Sequence, residues 1–209
     1  MKQNQQYELG RLVVQTLQGD ANKQKVLTQH GFERKRTQEG QAILNKIDQL
    51  SDERQKQDGA KLQATKTLSQ TRKEAHRLYI KHVSLSRLAF DGQVEQQRLL
   101  GIDAPREESL AGWLKQATNF YRSAPDVIDE LSQVGITLEA LQQGEALVQA
   151  VAQTRVTQMS LMSDTQRLSK QRKAAFMELN NWLKDFRYVA RYAFREDSQQ
   201  LEAFGMVVA

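Results

Sequence analysis

His30, His76 and His82 are the only imidazoles in the chain, and cysteine is absent. These are the side chains that most readily ligate metals or move protons near neutral pH. No His-Glu-x-x-His run occurs, and the nearest carboxylate, Glu74, stands only two positions before His76. A metal site in a helical bundle needs inward carboxylates and histidines at matched heights, with Glu-x-x-His spacing. The sequence therefore predicts no metal site, no cofactor and no catalytic residues. His82 is expected to pack in a helix seam, and His30 to lie near a helix C-terminus, where a cationic ring is mildly favoured. The phosphate-cradling glycine loops, the nucleophile elbow and the calcium-loop pattern are all missing. No small-molecule substrate is evident, and the chain is expected not to be an enzyme.

Cations are the remaining source of function. Arg72, Lys73, Arg77 and Lys81 form one basic cluster, and Arg167, Lys170, Arg172 and Lys173 form another. Arg187, Arg191 and Arg195 follow at i, i+4 and i+8, which places them in one stripe on a helix. Tyr188 and Tyr192 share that spacing. Trp182, Phe186 and Phe194 continue an apolar row from Phe176 and Leu179, so packing explains them better than base stacking does. The candidate interaction surface is thus Arg72, Lys73, Arg77 and Lys81, together with Arg187, Tyr188, Arg191, Tyr192 and Arg195. Glu74, Glu178, Asp185 and Glu196 interrupt these clusters and dilute a phosphate-binding field. A protein partner or self-association is expected first, and nucleic acid second.

The elements that must carry these residues are helices. Proline occurs twice in 209 residues, and charged residues make up 26%. Mean hydropathy is -0.66, which predicts much wet surface relative to core. No stretch reaches 18 apolar residues, and the opening segment lacks an apolar signal core. The expectation is a cytoplasmic protein without a membrane span.

Sliding the sequence by 104 positions aligns its landmarks. Leu27, Gln29 and Gly31 fall on Leu131, Gln133 and Gly135; Gly40 falls on Gly144; Arg87, Ala89 and Phe90 fall on Arg191, Ala193 and Phe194; Gly101 falls on Gly205. A single offset shared across the whole unit reads as a tandem duplication, 1–104 and 105–209, packed together. In each copy a short helix (Tyr7 to Leu17; Leu110 to Tyr121) precedes a second one, with Asp20 and Ser123 as expected N-caps. That helix is expected to stop at Gly31 or Gly135. Asp103 to Glu108 read as a short linker, with Pro105 near the first turn of the following helix.

A long helix is predicted from about Glu33 to Phe90 and from Thr137 to Phe194, on the order of 85 Å each. Its seam steps by fours and threes through Ile43, Ile47, Leu50, Ala64, Leu68, Ala75, Leu78, His82 and Leu85. The second copy repeats it through Leu147, Val151, Leu168, Ala175, Leu179, Trp182 and Phe186. A 3.5-residue period predicts coiled-coil or long-bundle packing. The seam turns polar at 51–61 and 154–165, a pattern compatible with a continuous helix and with a bend or loop. Met159 and Met162 are expected to fill irregular packing there. The C-terminal halves of the two long helices are expected to share a seam. The fold class is therefore all-α: an elongated helical bundle or coiled coil built from an internal duplication. The expected function is that of a non-enzymatic scaffold.

Overall fold

The computed structural model describes residues 2–206. Every regular element among them is helical. Helices α1 (Gln3–Gly19) and α2 (Ala21–Gln29) lead into α3 (Arg34–Ala89), and α4 (Val94–Leu100) follows. Then come α5 (Leu110–Ser123), a 3-10 turn (Ala124–Val127), α6 (Ile128–Gln133), α7 (Leu138–Ala193) and a 3-10 segment (Ser198–Phe204).

The stops are built as the sequence predicts. Beyond α2, Gly31 adopts φ 87°. The Phe32 N–H reaches the Leu27 carbonyl at 2.9 Å, and the Gly31 N–H reaches that of Thr28 at 3.1 Å. The same two bonds recur after α6, from Ile136 to Leu131 and from Gly135 to Ser132, each at 3.0 Å. Phe32 and Ile136 are buried, so each stop also anchors the start of a long helix. Asp20 caps α2, accepting from the backbone N–H groups of Asn22 and Lys23. Ser123 caps nothing. Its backbone is already helical (φ -94°, ψ -21°), which prevents its hydroxyl from reaching the following amides. The linker also differs from expectation. Ser109 caps α5, so Pro105 lies outside the helix. The Arg87 guanidinium holds the Ile102 carbonyl, and the Gln116 amide holds that of Pro105.

Both long helices are continuous, at 56 residues each. Their polar middles are tied locally: Ser51, Thr65, Thr154 and Ser169 return hydroxyl hydrogen bonds to the carbonyl four residues back. Gln158 also donates to Thr65 at 3.0 Å, and the Arg172 Nε to Ser51 at 3.1 Å. A seam with this many partnered polar groups does not need to break, although among the described residues the buried Gln57 Oε1 has no partner. Met159 and Met162 are exposed and fill no gap, because the seam passes through Gln158 and Leu161 beside them.

The chain divides into two compact units that cut across its sequence halves: unit 1 is 1–58 with 164–209, and unit 2 is 59–163. In unit 1 the first half of α3 lies against the second half of α7. Arg36 meets Asp185, Lys46 meets Glu178 and Ser51 meets Arg172, an order that makes the pair antiparallel. The expected sharing between two C-terminal halves is therefore replaced by a pairing of opposite halves. Val13, Val14 and Leu17 of α1 complete this core with Ile47, Leu179, Leu183 and Phe186. In unit 2, α5 supplies Trp113, Phe120 and Tyr121 against Tyr79 and Val83 of α3 and Val148 and Val151 of α7. Each such large side chain contributes about 1.5–3 kcal/mol on burial.

Two helical glycines admit the bulkiest contacts. Trp182 lies on the backbone of Gly40 in unit 1, and Tyr121 lies on Gly144 in unit 2. Tyr121 Oη is also 3.2 Å from Nδ1 of the buried His82. Burial, followed by the Lys81 cation, pushes the His82 pKa below the ordinary histidine value. The folded chain therefore binds fewer protons at this site than the unfolded chain does. Stability is full above about pH 6.5 and falls as pH drops from there through the folded-state pKa. Urea melts between about pH 5 and 7.5 are expected to show this loss, and His82→Phe is expected to flatten it. An unchanged pH slope in that variant would exclude His82 as the source.

Candidate interaction surface

The last three turns of α7 present two different faces. Trp182, Leu183, Phe186, Ala190 and Phe194 point into the unit 1 core. The 3.6-residue period then sends Lys184, Arg187, Tyr188, Arg191, Tyr192 and Arg195 outward, and these six line a shallow groove of about 580 Å3. Tyr188 is 81% exposed and Tyr192 56%. Tyr192 meets the edge of His30 at 5.3 Å, and the Arg195 guanidinium sits 5.2 Å from its ring centroid. Those contacts set the orientation of Tyr192, while Tyr188 projects freely into solvent.

Two carboxylates border this face, and both are engaged. Arg36 holds Asp185 at 2.7 Å, and Glu196 lies 3.7 Å from Arg195. The net field over the groove is therefore positive. Part of that charge also serves the fold, since a cation in the last turn of a helix offsets the partial negative charge of the free carbonyls.

The structure brings Arg187, Tyr188, Arg191, Tyr192 and Arg195 together and places the other predicted cluster in unit 2. There Arg72 is half-buried and spends one Nη–H on the Glu108 carbonyl at 3.0 Å. Arg72, Lys73 and His76 border a concavity of about 440 Å3, floored by Leu68 and Leu110. Burial, then Arg72 and Arg106, lowers the His76 pKa. Arg77 and Lys81 are exposed but do not line it.

Sequence reasoning missed Lys184 and His30 as members of the α7 face. Lys184 was legible as the residue one turn before Arg187 and Tyr188; His30 arrives through the α2 stop and carries no local signal. Arg172, assigned above to a basic cluster, turns inward over Phe176 at 4.8 Å and donates to Ser51 and Gln3.

Among the described residues no group of three or more His, Asp or Glu side chains is arranged to hold a metal ion. Among the described residues no helix is long and apolar enough to cross a membrane. No protein-family model, no curated protein and no solved structure gives a significant match to the chain.

Proposed function

We propose that this is a non-enzymatic scaffold or assembly protein that works through helix–helix protein contacts, with the outer face of α7 from Lys184 to Arg195 as a contact surface. One observation carries the reading: two exposed tyrosines stand among four cations directly behind the packed core of unit 1. Tyr and Arg are the residue types enriched where protein interfaces concentrate their energy. A face serving only solubility gains nothing from a tyrosine exposed like Tyr188. A nucleic-acid partner is the second reading, favoured by the same arginine stripe and opposed by Asp185 and Glu196 on its border.

We also read the chain as a tandem duplication. The support is that α3 and α7 have equal length and begin and end 104 residues apart, with glycine stops at 31 and 135 and at 101 and 205.

The test is a photo-reactive benzoylphenylalanine in place of Tyr188, irradiated in the intact protein within its host extract. The expected result is a protein adduct that survives nuclease and falls about tenfold in an Arg191→Glu background. The melting temperature of that background should move by no more than about 3 °C. Adducts confined to nucleic acid, or a protein adduct indifferent to Arg191→Glu, would remove the reading.

A further inference from the structure

Three pairs of positions 104 residues apart carry opposite charge on corresponding faces of the two units. Arg191 corresponds instead to the like-charged Arg87, which is half-buried and holds the Ile102 carbonyl. In unit 1, α2, the start of α3 and the end of α7 meet through the His30–Tyr192 and Arg36–Asp185 contacts. In unit 2, α6, the start of α7 and the end of α3 meet through Leu131, Ile136, Val83 and Phe90 in one core. Lys25 of the first face corresponds to Asp129 of the second, Lys35 to Glu139, and Arg195 to Asp91, and all six are exposed. Residues 20–39 with 184–197 hold nine Lys and Arg against six Asp and Glu, a net of +3. Residues 124–143 with 80–93 hold two against five, a net of -3. No lysine or arginine occurs from Ser123 to Thr154. Asp91, Asp129 and Glu139 form no ion pair among the described residues, so their charge is available to a partner.

Apolar surface accompanies both faces. The basic one exposes Tyr188 and Tyr192; the acidic one exposes Leu88 (70%) and Leu138 (47%). Leu88 is the residue 104 positions before Tyr192. An apolar centre inside a charged rim is the general anatomy of a protein interface, and opposite rims steer two such patches together.

From this inversion we infer that the partner of the basic α7 face is a second copy of this chain, docking through its acidic α6 face. The inference rests on the reading of α7 as a protein-contact surface. The contact is heterologous: each copy offers one basic and one acidic face, so addition repeats head to tail. Salt weakens it, because the rim charges are exposed and screened.

Sedimentation velocity of the purified full chain over a concentration series tests this. Wild-type protein is expected to self-associate at about 50 mM salt and at least tenfold more weakly at about 500 mM. Arg191→Glu/Arg195→Glu leaves a copy with two acidic faces, and Asp129→Lys/Glu139→Lys leaves one with two basic faces. Each variant alone should sediment as a monomer with native helicity. An equimolar mixture should recover association, because the intact acidic face of the first variant meets the intact basic face of the second.

Wild type that stays monomeric at about 100 µM in low salt overturns the inference, as do assemblies that persist in both variants or a mixture that fails to associate. The probe at position 188 separates this failure from the other. If it captures a different protein while wild type stays monomeric, the second-copy partner is wrong and the α7 contact face stands. If it captures no protein, both readings fall.

Discussion

Gly40→Ala is expected to destabilise unit 1 by about 1–3 kcal/mol, although alanine is the better helix former. A methyl group at Gly40 would lie 2.6 Å from Trp182 Cε2 and closer still to Cζ2. The indole cannot retreat. Phe186 stacks beside it at 6.0 Å, Phe32 meets it at 5.9 Å, and its Nε1–H donates to the Arg36 carbonyl at 2.7 Å. The propensity gain of about 1 kcal/mol is therefore outweighed by overpacking against a rigid ring. A fall of about 3–10 °C in melting temperature is the readout. Gly59→Ala supplies the control, because no atom lies within 4 Å of its added carbon. There propensity acts alone, and a gain of about 0.5–1 kcal/mol is expected. The double variant Gly40→Ala/Trp182→Phe should recover part of the loss. If Gly40→Ala melts at or above the wild-type temperature, the close packing of Trp182 on α3 is wrong.

Leu179→Asp should be more severe, at about 4 kcal/mol or more, enough to unfold a marginal unit. Leu179 has no exposed surface, reaches Gly10 of α1 and shares its core with Leu44 and Ile47 of α3. A carboxylate in this apolar cluster must either remain protonated or open the core. Helicity and melting temperature should fall together, the latter by more than about 10 °C. Leu78→Asp is the milder counterpart, because Leu78 is only half-buried and its neighbour Tyr79 fills the core. If Leu179→Asp stayed native by circular dichroism, Leu179 would lie on an outer interface and the unit 1 core would need redrawing.

These contrasts show where sequence reading succeeds. The four-and-three stepping of the apolar rows foretold both long helices, and Gly31 and Gly135 foretold where each would be launched. Such signals act locally: a left-handed glycine followed by an apolar residue admits few alternatives. The row was drawn one residue narrow on α3, where Tyr79, Val83 and Phe90 are buried beside the predicted seam. The cause is α5, which covers a second side of that helix and widens the arc that must be apolar.

The choice of partner half was not legible. Both long helices repeat the same stepping, so periodicity states that a seam exists without giving its address. The address lies in size matching at isolated positions, with Trp182 against Gly40 and Tyr121 against Gly144, where bulk on one helix requires its absence on another. For the candidate site, Tyr188 and the arginine stripe stood out because they fall off the apolar row. The acidic counterpart did not, since its charges are spread over α6, α7 and the turn after α3, elements whose apolar residues meet only in the folded unit 2 core.

The segmental make-up of the units has a consequence for synthesis. Unit 2 is a single unbroken stretch, whereas unit 1 is assembled from two stretches separated by all of unit 2. On the ribosome, unit 2 has its whole core in hand once residue 163 has emerged. Val13, Leu17 and Phe32 must wait for Leu179, Trp182 and Phe186, an interval on the order of 10 s at ordinary elongation rates. Closing so long a loop adds little entropy cost but slows the search for contacts. During that interval the apolar rows of α1 and of the first half of α3 are open to chaperones and to neighbouring nascent chains. The apolar residues of α1 thus precede unit 2 in synthesis and follow it in burial.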